Sequence, residues 1–290
     1  MNPRKGTECQ GVNTYLSRYD AMADKAAAQV IAQYSTSFSL AVRTLPEPER
    51  THIRNLYAVV RIADEIVDGT TTQANECPET ALDLYEEQVL HAPAHRFQTD
   101  PVLHAWARTY RECHLNPEHI QAFFASMRAD LTQTTFTQKE LDTYIYGSAE
   151  VIGLMCLDIF LRGRDTPHRR ELEEGARALG SAFQKVNFLR DLGEDSRALG
   201  RAYLGATLDD DLKSSLTSQI ADELDRAHTA IPLLPPAARG GVAAAEALFR
   251  ELNARIAATP AAELHTTRVS VPNHIKLALT AKALANTRKL

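Results

Sequence analysis

Along most of the chain apolar residues recur at three- and four-residue intervals, the period of helices packed on one face. Period-two alternation rich in β-branched residues is nearly absent, so strands are not expected. Good helix formers dominate from Ala21 onward. The pattern predicts helices over 21–34, 38–43, 48–68, 79–91, 101–113, 117–130, 138–162, 168–195, 209–231, 240–257 and 273–287. Breakers separate them: Gly69-Thr70-Thr71-Thr72, His91-Ala92-Pro93, Gly163 through Pro167, and Pro232 through Gly241. There is no Gly/Ser linker and no internal repeat. The expectation is a single all-α domain over residues 21–290, behind a poorly ordered stretch at 1–20.

Two of these helices depart from simple amphipathicity. The helix at 48–68 carries Leu56, Val59, Val60, Ile62, Ala63, Ile66 and Val67, is apolar nearly all round, and should be buried. Yet Tyr57, Arg61, Asp64 and Asp68 follow i, i+4, i+7, i+11 spacing and share one face. The helix at 168–195 repeats the anomaly. There Gln184, Asn187, Asp191 and Asp195 fall within a stripe roughly 80° wide, walled by Phe183, Val186, Phe188, Leu189 and Leu192. Polar side chains in such a setting are costly unless something binds them.

Each seam holds a D-x-x-x-D pair, which projects two carboxylates from neighbouring turns. Facing one another across a bundle, two such pairs suit hard divalent cations. Magnesium takes oxygen ligands and usually only one or two carboxylates, with waters and substrate phosphates completing its shell. Arg61 and Arg190, beside the pairs, suit phosphate oxygens directly. Apolar walls then suit a hydrocarbon, and the combination suggests metal-assisted ionisation of a prenyl diphosphate. A lone D-x-x-x-D is more often a solvated helix face. The run Asp209-Asp210-Asp211 is read in that way, as an exposed acidic helix start. For the two seams the structural alternative is a buried ion-pair network.

Composition narrows the classes without choosing among them. A formal net charge of −5 gives no reason to expect nucleic-acid binding. Cys9, Cys77, Cys113 and Cys156 contain no C-x-x-C pair, which suits a reduced cytoplasmic protein with no zinc site. No secretory signal is recognised at the N-terminus. The most apolar run, Val151 to Leu161, is interrupted by Asp158 and is too short to span a bilayer. His91 and His95 are separated by Pro93, which breaks helical ligand geometry. No dinucleotide fingerprint, Walker loop or G-x-S-x-G is present. The C-terminal stretch mixes His274, Lys276, Lys282, Arg288 and Lys289 with Ile275, Leu277, Leu279 and Leu284. A packed helix with solvated lysines is the preferred reading, and peripheral contact with the inner face of an anionic membrane is the alternative.

At the polar seams the chain resembles the squalene/phytoene synthase family, the enzymes that join two prenyl chains head to head. Tyr34-Ser35-Thr36-Ser37-Phe38 resembles the S-x-S-F opening. Leu56 through Asp68 resembles Y-A-x-x-R-x-x-D-x-x-x-D, and Tyr144 through Ala149 with Gly153 resembles the Y-x-Y-x-x-A segment. Gln184 through Asp195, then Arg201-Ala202-Tyr203-Leu204, resembles Q-x-x-N-x-x-R-D-x-x-x-D followed by G-R-x-Y. The ordered set is far more specific than any one motif, and it covers about residues 30–285.

The resemblance implies the isoprenoid (terpenoid) synthase helical bundle around a deep apolar cavity. It implies that Asp64, Asp68, Asn187, Asp191 and Asp195 hold magnesium, with manganese as a substitute. Tyr34, Ser35, Thr36, Ser37, Tyr57, Arg61, Gln184, Arg190 and Arg268 then contact substrate diphosphates. Three departures stand out: Tyr34 where relatives often carry His, Glu150 where Gly is common, and Phe249 where a Tyr is expected. The expected activity is phytoene synthesis from two geranylgeranyl diphosphates, with no nicotinamide cofactor. The alternatives are a C30 enzyme using farnesyl diphosphate and an inactive relative with an assembly role. A single-substrate cyclase is disfavoured because N-x-x-x-[ST]-x-x-x-E is missing at 187–195.

Overall fold

The computed structural model describes residues 14–35, 37–194, 203 and 208–287. Among these residues no strand forms, and helices follow one another throughout. They are α1 (Tyr15–Tyr34), α2 (Ser37–Arg43), α3 (Glu49–Val67), α4 (Thr70–Gln73), α5 (Pro78–His91), α6 (Pro101–Cys113), α7 (Pro117–Thr132), α8 (Gln138–Ile145), α9 (Val151–Leu161), α10 (Arg169–Glu194), α11 (Asp210–Ala230), α12 (Pro236–Ala258), α13 (Ala261–Leu264) and α14 (Asn273–Thr287).

The helix periods were legible in the sequence, and the boundaries differ where local chemistry overrides periodicity. Helix α1 begins at Tyr15, not Ala21, because the Thr14 hydroxyl accepts from the Ser17 amide at 3.2 Å and caps it. Tyr15 is 90% exposed, so this first turn carries no apolar signal. The stretch Pro232–Gly241, expected to break the chain, instead contains the start of α12. Pro236 stands at its opening turn, where the missing N–H costs nothing. Gly241 lies inside this helix, where the turn after α2 leaves no room for a side chain: a Cβ there would lie 2.4 Å from Leu45 Cδ2. The run after Gly69 likewise forms the short helix α4.

Helices α3 and α10 are the two central staves. Helix α3 packs against α1, α6, α5 and α7, and α10 packs against α11, α9 and α12. Their apolar faces meet core residues such as Leu56 and Val59 on α3, and Val186 and Leu189 on α10, all essentially without solvent contact. Removing such side chains from water is the main stabilising term, about 1.5–3 kcal/mol for each large one. Helix α14 packs on α12 through Thr280 and Ala283, while Leu277 remains exposed.

Helices α8 and α9 are joined through a π turn at Tyr146–Glu150 into one rod, Gln138–Leu161, as the 138–162 expectation anticipated. This rod is long and apolar enough to cross a membrane, so the argument from the length of Val151–Leu161 alone does not hold. Two-thirds of its most apolar window is buried inside the bundle, and Asp158 accepts a 2.7 Å hydrogen bond from Arg169.

Candidate active site

Helices α2, α3, α7, α9, α10, α11 and α12 line a cavity of about 1000 Å³. Its walls are apolar, and its polar side chains gather at the C-terminal ends of α3 and α10. From the sequence-predicted set, Tyr34, Ser35, Tyr57, Arg61, Asp64 and Asp68 line it from one side. Gln184, Asn187, Arg190, Asp191 and Arg268 line it from the other. Thr36 and Asp195 lie outside the described residues, as does the side chain of Ser37, which opens α2.

On the first seam the Arg61 guanidinium sits among three carboxylates. It donates to Glu65, and its Nη1 lies 3.8 Å from Asp64 and 3.9 Å from Asp68. The ring of Tyr34, the first of the three departures, covers it, 4.5 Å from the guanidinium carbon to the ring centroid, a cation–π contact. The Arg61 Nε is buried and has no partner. Burial, and then the neighbouring Asp68, push the Asp64 carboxyl up to about 8 against the pull of Arg61. About a third of its side chain still faces the open cavity, so Asp64 is deep within the protein yet reachable from inside. Tyr57 is also pushed up, to about 12, chiefly by burial, and its ring stacks on Phe38 with centroids 5.7 Å apart.

On the second seam Arg190 donates to both Asp191 oxygens, with Nε 2.9 Å from Oδ1, and Arg268 donates to Oδ1 at 2.8 Å. Burial raises the Asp191 carboxyl, but the Arg190 and Arg268 bonds outweigh it and hold the group below the usual range. Asn187 Oδ1 is buried without a hydrogen-bond partner. A buried acceptor left unsatisfied costs about 1–3 kcal/mol, which a ligand in the cavity would recover. Among the described residues the seam carboxylates form ion pairs with Arg61 and Arg190 on their own helices and with Arg268 from the segment before α14.

A further acidic group was missed. Asp130, at the end of α7, lines the same cavity and accepts from Tyr144 at 2.8 Å and from Tyr203 at 2.7 Å. Its signal was readable: Phe123, Met127 and Asp130 fall at i, i+4, i+7 on one buried face. The two tyrosines came from quoted motifs, but the carboxylate that joins them came from a different helix. The other departures also find roles. Glu150 accepts from Arg177 Nε at 2.6 Å, and Phe249 stacks on Phe183 with centroids 3.6 Å apart in the cavity wall.

The donor set fits a hard cation. Every candidate ligand is oxygen, and Asn187 offers an acceptor with nothing bonded to it. Among the described residues no three His, Cys, Asp or Glu side chains converge into a ready-made metal cluster.

Residues 31–274 match the family model for squalene/phytoene synthase. The chain belongs to the squalene/phytoene synthase family. It is 35% identical over 185 residues to a phytoene synthase of Arthrospira platensis, covering 61% of this chain and 59% of that protein. It is 31% identical over 200 residues to a 4,4'-diapophytoene synthase of Staphylococcus haemolyticus, covering 68% and 66%. A 15-cis-phytoene synthase of Synechocystis is 36% identical over 186 residues, covering 61% and 53%. The chain thus spans between half and two-thirds of the length of these relatives. A dehydrosqualene synthase crystal structure superimposes with a TM-score of 0.79 at 23% identity, covering 95% of this chain and all of that one. The fold is the isoprenoid synthase bundle. The family transfers prenyl groups in isoprenoid and carotenoid biosynthesis.

Proposed function

We propose that the protein condenses two geranylgeranyl diphosphates head to head, releasing diphosphate and forming phytoene. The observation that carries this reading is the pairing of two facing polar seams with an apolar cavity of about 1000 Å³. That volume stands at the top of the range of about 300–1,000 Å³ usual for small-ligand sites and suits two long chains better than one.

Arg61, Arg190 and Arg268 bind diphosphate oxygens, and Tyr34 fixes the position of Arg61. Asp64, Asp68, Asn187, Asp191 and Asp195 are the residues that would hold magnesium. Bound there, the ion supplies charge stabilisation to the departing diphosphate. The first C–O bond breaks to leave an allylic cation, and the apolar walls keep water from it. The faces of Tyr57, Phe38, Phe183 and Phe249 line the cavity and stabilise positive charge. The double bond of the second substrate attacks the cation, and loss of a proton gives a cyclopropylcarbinyl diphosphate. Its ionisation opens the ring, and a second proton loss yields the central triene, with released diphosphate as the base. No reductant enters, so no nicotinamide is required. The setting we propose is cytoplasmic, with α14 as the candidate for peripheral membrane contact.

A C30 reaction on farnesyl diphosphate is the second reading, supported by the similarity to the diapophytoene synthase. Incubation with farnesyl and geranylgeranyl diphosphates separately, with and without NADPH, tests both. A C40 triene from geranylgeranyl diphosphate alone is expected. A C30 product alone replaces the first reading with the second, and no condensed product from either overturns both.

A further inference from the structure

Far from the two seams, one stretch of the cavity wall is thin. Helix α10 runs inward from Asp191, and at about 1.5 Å per residue Gly175 lies roughly 24 Å from that carboxylate along the axis. Gly175 and Ala230, the last residue of α11, line the cavity here. The same two residues also line a separate crevice of about 580 Å³ on the opposite side. The pair therefore stands between the two spaces. It is also close-packed: a Cβ placed on Gly175 would lie 2.4 Å from the Ala230 Cβ.

The two sides differ sharply in character. Toward the cavity, Leu172, Leu179, Ile231 and Leu234 surround the pair. Toward the crevice stand Glu174, Arg177, Glu223 and Arg226. Glu223 is tied in place by Ser181 at 3.0 Å and Lys185 at 2.6 Å. Beyond the partition the crevice has room for a further isoprene unit, in surroundings more polar than the channel.

We propose that the Gly175–Ala230 contact is the end wall that sets the longest prenyl chain this protein accepts. The proposal rests on the prenyl diphosphate reading above and adds the residues that measure chain length. The single methyl of Ala230 forms the wall, and Gly175 must lack one for the wall to close. Moving that methyl across the contact should therefore leave the wall intact, whereas removing it should open the channel and doubling it should shorten the channel.

The test uses Ala230→Gly, Gly175→Ala and the double variant, given equal mixtures of prenyl diphosphates with three, four and five isoprene units. A methylene-scale change in an apolar pocket shifts selection by about 10–200-fold. Ala230→Gly is expected to raise the five-unit share of the products by about 10-fold or more. Gly175→Ala is expected to shift selection toward three units by a similar factor. The double variant should return to the wild-type ratio, which a merely disruptive substitution would not do. Melting temperature and circular dichroism check folding. Should Gly175→Ala not fold, Ala230→Gly and the double variant decide the matter alone. Unchanged ratios in folded variants, or a double variant that fails to revert, overturn the wall. Absence of condensed product in the wild type overturns the prenyl reading instead.

Discussion

Arg268 Nε donates to Asp191 Oδ1 at 2.8 Å, joining residues 77 positions apart across the mouth of the cavity. Asp191 also holds Arg190, while Arg61 lies among Asp64, Glu65 and Asp68. Carboxylates of each seam are thus paired with arginines suited to phosphate. A cation that takes the carboxylates releases the arginines, and a diphosphate that takes the arginines releases the carboxylates.

Inorganic pyrophosphate and magnesium should therefore bind with positive coupling, each tightening the other by at least about 5-fold, the lower end of typical coupling energies. Calorimetric titration of each in the presence and absence of the other measures it. Arg268→Gln should weaken pyrophosphate binding by about 10-fold. Independent binding of the two would show that the arginine pairs are not exchanged.

Asp68→Asn and Asp191→Asn should each lower turnover by about 100-fold or more, the scale seen when one preorganised electrostatic group is removed. Asp211→Asn, on the exposed first turn of α11, should have no effect. Chelation of divalent ions should abolish turnover, and magnesium should restore it. Wild-type rates in either of the first two variants, or after exhaustive chelation, would refute the metal role of the seams.

Asp64→Asn should lose turnover yet stabilise the metal-free protein. The folded carboxyl lies at about 8 and its ordinary value is 3.8, so the unfolded chain ionises first as pH rises. The folding penalty grows between those two values and is largest above the upper one. Thermal unfolding in chelator at about pH 8 should show a rise of at least ~2 °C over wild type, the scale of roughly 1 kcal/mol in a chain of this size. The gain should shrink toward about pH 5. A lower melting temperature would contradict the electrostatic account.

His52 offers a pH prediction away from the cavity. It is buried, with Nδ1 3.0 Å from Thr109 Oγ1, and burial lowers its pKa despite Glu112 nearby. A base depressed on folding binds its proton more readily in the unfolded chain. Stability should therefore fall as pH drops through the ordinary value of 6.5 and level off below the folded one. His119 adds to the same trend. Melting temperatures of wild type and His52→Gln at about pH 7.5 and about pH 5.5 measure it, and the variant should lose less. An equal loss in both would assign the acid sensitivity to other groups.

Helix period made both seams visible in the primary structure, because residues four apart on one helix share a face whatever surrounds them. Tyr57–Arg61–Asp64–Asp68 and Gln184–Asn187–Asp191 were readable for that reason, and so was the all-α class. What no local pattern contains is which helices face each other. Arg268 on Asp191, Asp130 beneath Tyr144 and Tyr203, and Gly175 against Ala230 are contacts between distant segments. They exist only because burial of apolar faces draws α7, α10, α11 and the segment before α14 around one cavity. The sequence determined that carboxylates and arginines would line the apolar staves α3 and α10. Tertiary packing decided which arginine each carboxylate holds, and where the hydrocarbon channel between them ends.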